Sequence, residues 1–393
     1  MKKRGFDTLA IHEGHAGFQP DSMSVPIYQS VAYPYADTQE AAAIFAAEKP
    51  GFTYGRWSNP TVEVFEKRMA ALENTEAAIA TSSGMAAIFM LAHHLLEAGD
   101  EIVSSNKVYG GTFCLFDVGL KRIGIRANWV TNPESIDAWS SAITPRTKVM
   151  FVESPSNPSL FITDIPSLAA LAKAKAIPLV ADNTICTPAL QSPVELGADI
   201  VVHSTTKYIC GNASSLGGII CGSKKLVDDL RLGPMRYLGP SMSPFNAWLN
   251  INGLEHLSLR MERHCSNAMA LASFLEGHPQ VSSVNYPGLK SNPYYKVAQS
   301  QMKGNSSLMS FIIKGAYENA ASVIDSLKLL VHATHLGTCK TIVTHPASTT
   351  HSGMGPEEMA KAGIHPNLIR VSVGLEEQED IIADIEQALG KID

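Results

Sequence analysis

Cysteine is sparse: six residues (Cys114, Cys186, Cys210, Cys221, Cys265 and Cys339) stand singly along 393 positions. No Cys-x-x-Cys occurs, so a zinc ribbon or a dithiol redox motif has no basis. The density is also far below that of an extracellular disulfide scaffold. Long apolar runs are lacking, and none approaches the ~20 residues that cross a bilayer. After Met1-Lys2-Lys3-Arg4 the chain turns polar without an apolar signal core, so it reads as cytoplasmic. Positive charge is not in excess either. Lys and Arg number 31 against 37 Asp and Glu, a formal charge of −6, which argues against a nucleic-acid binder that must neutralise phosphates. The motifs G-x-x-x-x-G-K-[ST], G-x-G-x-x-G, G-x-S-x-G and H-E-x-x-H are all missing. The thirteen histidines include His93–His94 and the pair His345/His351, but none has metal-ligand company, so the chain reads as metal-free.

What is present is an ordinary globular composition, 45% hydrophobic and 17% charged. At ~100–200 residues per domain the length predicts two or three domains. The first 60 residues carry Pro20, Pro26, Pro34, Pro50, Gly51, Gly55 and Pro60 and few apolar runs. They read as a surface segment or as an arm lying over a neighbouring subunit.

Over 61–248, helical periodicity alternates with short apolar strands. The reading gives a helix over Thr61–Glu73, strand AAIATSSG, helix MAAIFMLAHHLLEAG, strand EIVSS, helix CLFDVGLKRIG and strand KVMFVESPSNP. There follow a helix over Ile165–Lys175, strand IPLVADNT, helical SPVELG and strand DIVVHSTT. Such alternation implies βαβ units, a mostly parallel sheet, and a site at the strand C-termini. A long amphipathic stretch begins near Ser243, and VSSVNYPG, SSLMSFIIKG, KTIVTH and LIRVSVG read as strands. Residues 249–393 therefore suit a smaller C-terminal α/β domain.

Four loops after predicted strands carry polar residues with chemical potential. Thr81-Ser82-Ser83-Gly84-Met85 opens a helix, and such a turn either simply starts the helix or offers N–H groups to a phosphate. Asp182 ends an apolar strand, as a helix cap or as a carboxylate that keeps a pyridine nitrogen protonated. Lys207 follows Ser204, Thr205 and Thr206 and precedes the Gly-rich GNASSLGG. A lysine placed there can form an imine with an aldehyde cofactor, while the hydroxyls bind phosphate. Arg370 lies inside the apolar LIRVSVG, where a buried guanidinium wants an anion such as a substrate carboxylate.

These segments, with YGRWSNPT, TSSGMAAI, YGGTF, VESPSNP, VADNT, HSTTKY, SPFNAWL, LRMERH, THPASTTH and IRVSVGLE in order, make the chain resemble the γ-subfamily of fold-type I pyridoxal-phosphate (PLP) enzymes. This is the Cys/Met-metabolism group of cystathionine γ-synthase and γ-lyase, methionine γ-lyase and the O-acylhomoserine sulfhydrylases. The resemblance covers nearly the whole length. It implies an α/β fold and PLP held as a Schiff base on Lys207, with Asp182 on the ring nitrogen. Tyr109 would stack on the ring and take part in proton transfer. Gly84, Met85, Ser204 and Thr206 would bind the phosphate, joined by Tyr54 and Arg56 from the neighbouring subunit. Asn157 would lie near the cofactor's 3′-oxygen and the substrate carboxylate, which Arg370 clamps beside His335. A homotetramer built from dimers with shared active sites is the implied assembly.

SPSNP, DNTICTPALQ, SPFNAWL and IRVSVGLE look most like the O-acylhomoserine sulfhydrylases. Methionine γ-lyases usually carry cysteine two residues after the stacking tyrosine, where this chain has Gly111. Relatives place Ser or Asn where this chain has His335, and a commonly acidic position is Thr338. The leading expectation is γ-replacement on an O-acylhomoserine by sulfide or a thiol. The alternatives are a γ-elimination lyase on methionine or cystathionine, and a PLP-binding regulatory protein without activity.

Overall fold

In the computed structural model, residues 4–15, 21–46, 48–349, 352 and 365–392 are described. Seven strands form the larger sheet: β1 (Ala77–Thr81), β2 (Glu101–Ser105), β3 (Arg126–Val130), β4 (Thr147–Glu153), β5 (Leu179–Asp182), β6 (Ile200–Ser204) and β7 (Gly218–Gly222). Their spatial order is β1-β7-β6-β5-β4-β2-β3. Only β7 runs antiparallel to its neighbours, while the pairs from β6 through β3 are parallel. A parallel sheet is covered on both faces, so its strands are apolar on both. In β4 the alternation sends Val149 and Phe151 into one apolar cluster and Met150 and Val152 into the other.

Register then places the chemistry. Glu153 pairs with Asp182, and Asp182 with Val202. The ends of β4, β5 and β6 thus share one carboxyl edge, where open α/β sheets bind ligands.

The second sheet has five strands: β8 (Val281–Asn285), β9 (Leu308–Ile313), β10 (Val331–His332), β11 (Ile342–Thr344) and β12 (Leu368–Ser372), in the order β10-β11-β12-β9-β8. Central β12 pairs Arg370 with Thr344 on one side and Ser310 on the other. Helix Leu257–Glu276 packs against β8, β9 and helix Gln378–Leu389, and its apolar side joins Leu271 and Leu275 to Phe311 and Ile385.

Several expectations change. The segment SPVELG is a turn rather than a helix; Pro193 has no N–H to donate, and Gly197 ends the turn at φ +105°. The amphipathic stretch after Ser243 is two helices, Pro244–Glu255 and Leu257–Glu276, broken at His256. Ser243 caps the first, accepting from Asn246 N at 3.1 Å. The segment CLFDVGLKRIG passes from α-helix through a π turn to a 3₁₀ turn that Gly124 closes at φ +83°. Strands β3, β7 and the two-residue β10 are absent from the sequence reading. The 1–60 segment contributes helices Phe6–His12 and Thr38–Phe45.

Candidate active site

The turn carrying Lys207 leaves β6 through Ser204 and Thr205. Thr206 fixes it: its hydroxyl donates to Gly217 O at 3.2 Å and accepts from Gly217 N at 3.1 Å. Arg260 holds the far side, donating to Tyr208 O (2.6 Å), Ile209 O (3.2 Å) and Gly253 O (2.7 Å). Lys207 itself is half-buried, and among the described residues no carboxylate pairs with it. Burial, then the nearby Arg370 guanidinium, push its pKa down to about 8. Its Nζ lies 3.2 Å from His335 Nδ1.

Two carboxylates stand side by side at the sheet edge. Asp182 is 9% exposed, and its Oδ1 accepts from Thr184 N at 2.9 Å. It caps no helix, since the next one, Thr187–Leu190, has Cys186 at its N-cap. Its pKa is raised by burial, against the opposing bonds from Thr184. Glu153, 4% exposed, is pushed well up by burial and then by the Asp182 charge. Among the described residues neither has a bonded cation. Buried anions without one are costly, so the corner suits a protonated ring nitrogen.

The helix Gly84–Leu95 starts against Ser204. A Cβ at Gly84 would lie 2.7 Å from Ser204 Cβ, so only glycine fits. Ser83 Oγ takes Ala86 N at 3.1 Å, and the first-turn N–H groups of Gly84 and Met85 have no intrahelical acceptor. With Ser204 against it, this end of a 12-residue helix suits a phosphate. The structure therefore fits both ends of PLP.

Arg370 lies opposite, 4% exposed. It donates to Asn157 Oδ1 (3.0 Å), His335 O (3.1 Å) and Thr344 Oγ1 (3.2 Å), all neutral acceptors, and its buried Nε has no partner. Burial lowers its pKa to about 10. A guanidinium so placed lacks an anion, which a substrate carboxylate supplies. His335 stands beside that clamp, with its carbonyl on Arg370 and its ring on Lys207. Burial, with Lys207 and Arg370 adding repulsion, lowers its pKa to about 4, so the ring is neutral at neutral pH.

Tyr109 is 48% exposed, and its N–H donates to Glu153 Oε2 at 2.6 Å. Its ring folds back over Gly111: a Cβ there would stand 2.5 Å from Tyr109 Cε1. A side chain at 111 would require the exposed Tyr109 ring to shift.

Lys207, His335, Arg370, Asn157, Glu153 and Tyr109 are thus one hydrogen-bonded chain, flanked by Asp182. Tyr54 and Arg56 stand apart. Both are exposed, and Arg56 lies over the Tyr54 and Trp57 rings of its own chain at 5.3 and 5.4 Å. Among the described residues no hydrogen bond joins either to Ser204, Thr206 or Lys207. His345 bonds Ser348 Oγ and Pro366 O, and His351 lies outside the described residues. Glu153 and Thr344 were not picked out from sequence. The available signal for Glu153 was a carboxylate closing the apolar run over 149–152.

Among the described residues, no three His, Cys, Asp or Glu gather as metal ligands, and no helix is long and apolar enough to cross a membrane. Residues 7–390 match the family described as Cys/Met metabolism PLP-dependent enzyme. The chain is 43% identical to an O-succinylhomoserine sulfhydrylase of Pseudomonas aeruginosa, covering 100% of this chain and 97% of that one. It is 42% identical to an L-methionine gamma-lyase of Pseudomonas putida, covering 99% and 98%. A solved O-acetylhomoserine (thiol)-lyase of Campylobacter jejuni carries N′-pyridoxyl-lysine-5′-monophosphate; it superposes with a TM-score of 0.95 at 37% identity, over 98% of this chain and 100% of that one. The α/β fold, the lysine turn and the full-length match agree, and the chain belongs to the Cys/Met-metabolism family of PLP-dependent enzymes.

Proposed function

We propose that this enzyme catalyses γ-replacement on an O-acylhomoserine, with sulfide or a thiol entering to give homocysteine or a thioether. The observation that carries the reading is the spacing of amine and guanidinium around His335: its carbonyl on Arg370, its ring on Lys207. An amino acid whose carboxylate sits on Arg370 and Asn157 brings its α-carbon to the Lys207 amine. That amine, with its pKa near 8, takes up and returns protons near neutral pH, as removal of the α-proton and then a β-proton requires. Bound PLP supplies an electron sink for the negative charge that these proton removals leave on carbon. Asp182 keeps the ring nitrogen charged, Tyr109 covers the ring, and Gly84, Met85, Ser204 and Thr206 hold the phosphate.

Sulfhydrylase relatives at 43% and lyase relatives at 42% identity support the leading reading and its alternative about equally. Gly111 supports replacement, because it lacks the thiol that methionine γ-lyases usually carry two residues after the stacking tyrosine. An acyloxy group also leaves more readily than methanethiolate. The test is steady-state kinetics with O-acetyl- and O-succinylhomoserine plus sulfide, beside methionine alone. Replacement is expected to be faster; faster release of 2-oxobutanoate from methionine overturns it in favour of γ-elimination.

The 1–60 arm reads as the part that reaches a second subunit, with 61–248 as the PLP-binding domain and 249–393 as the C-terminal domain. In this reading the assembly is a cytoplasmic homotetramer of dimers, and Tyr54 and Arg56 complete the neighbour's phosphate site.

A further inference from the structure

We infer that Glu153 is the positioning residue that ties the cover over the cofactor ring to the clamp for the substrate carboxylate. Each of its oxygens accepts one backbone N–H, from Tyr109 at 2.6 Å and from Asn157 at 2.8 Å. The donors belong to different loops, one after β2 and one after β4. Tyr109 carries the ring-covering phenol, and Asn157 Oδ1 takes the Arg370 guanidinium at 3.0 Å. A single side chain thus sets the height of the aromatic cover and the position of the guanidinium's partner.

The geometry requires a carboxyl group. It presents two acceptor oxygens on one rigid fork, whereas an amide presents one acceptor and turns its NH₂ against the second N–H. Glu153 sits at 4% exposure beside Asp182 in the strand register. Keeping a buried acid next to another is costly, and the two loop contacts oppose that cost only in part. Glu153 acts through Tyr109 and Asn157 and needs no contact with the reacting atoms.

The inference rests on the PLP site assigned above. Its test compares wild-type holoenzyme with Glu153→Gln and Glu153→Asp, by the visible circular dichroism of the bound cofactor and by kinetics with O-acetylhomoserine and sulfide. In Glu153→Gln the visible band should weaken while the far-ultraviolet spectrum is kept. KM for the amino acid should rise ~10-fold and kcat fall ~10²-fold, the scale of a misplacement of about 1 Å. Glu153→Asp keeps the carboxyl group but reaches one N–H only, so it should fall between. A wild-type band with wild-type KM in either soluble variant overturns the inference. So does failure of both variants to fold, because that assigns Glu153 to the fold alone. A visible band that survives in Lys207→Ala overturns the underlying site assignment instead, which keeps the two failures distinct.

Discussion

Lys207 stores its reactivity in where its amine is buried. The ammonium loses water and faces the Arg370 charge, so its pKa falls from 10.5 to about 8. The sign gives a pH dependence. The neutral amine attacks an aldehyde, and that form grows as pH rises through 8. Recombination of cofactor-free protein with PLP, followed by the visible imine absorbance, should therefore accelerate with a midpoint near pH 8. A midpoint near 10.5 would mean an ordinary solvated lysine. Borohydride reduction should label the peptide containing Lys207, and Lys207→Ala should fold yet bind no PLP as an imine. Asp182→Asn should fold, hold PLP weakly and lose activity by orders of magnitude, because an amide no longer favours the protonated ring nitrogen. Near-normal turnover in that variant would sink the ring-nitrogen role. Lys207, Asp182 and Arg370 were legible in the sequence because each is a charged residue in or beside an apolar strand. Glu153 gave the same signal at the end of KVMFVE, but its two partners are loop N–H groups that no pattern marks. The His335–Lys207 contact spans 128 residues and follows only from how the two sheets meet.

Elements with one clear period were legible, and those with mixed signals were not. β4 and β5 are built on continuous apolar runs, 149–152 and 179–181. β3, Arg-Ala-Asn-Trp-Val, lies at the sheet edge with Arg126 exposed, so its polar residues hide the strand. β7 begins and ends in glycine, and Gly218 has to be glycine there: a Cβ would stand 2.2 Å from Ser83 O. That close approach binds β7 to the start of the phosphate-facing helix, a reason invisible to composition. Helix Leu257–Glu276 works at the same scale. Its Arg260 grips the Lys207 turn, and its His264 Nδ1 bonds Val373 O at 2.7 Å just beyond β12. One helix therefore holds the lysine and the arginine in a common frame. Arg260→Met strips the donor from three carbonyls, and a loss of about 3 kcal/mol is expected from bonds of this charged kind. Urea unfolding of the holoenzyme would measure it, and an unchanged midpoint would show that the turn stands without this support.

For the whole molecule, the question is how many chains make one site. Arg56 lies over aromatic rings of its own chain, and among the described residues it has no bond to the Lys207 turn. If it serves a neighbour's phosphate, inactive Arg56→Ala and inactive Lys207→Ala subunits, once mixed, should recover part of the activity, since a mixed dimer holds one intact site. No recovery after proven subunit exchange would show that each chain is self-sufficient. The strand order has a consequence for biosynthesis. Asn157 and Arg370, 213 residues apart, meet only after β12 has entered the middle of the second sheet. On the ribosome the N-terminal portion folds first. The amine, the paired carboxylates and the phosphate-facing helix are therefore synthesised before the guanidinium, and a chain released short of Leu368 would carry them without the arginine that orients a substrate.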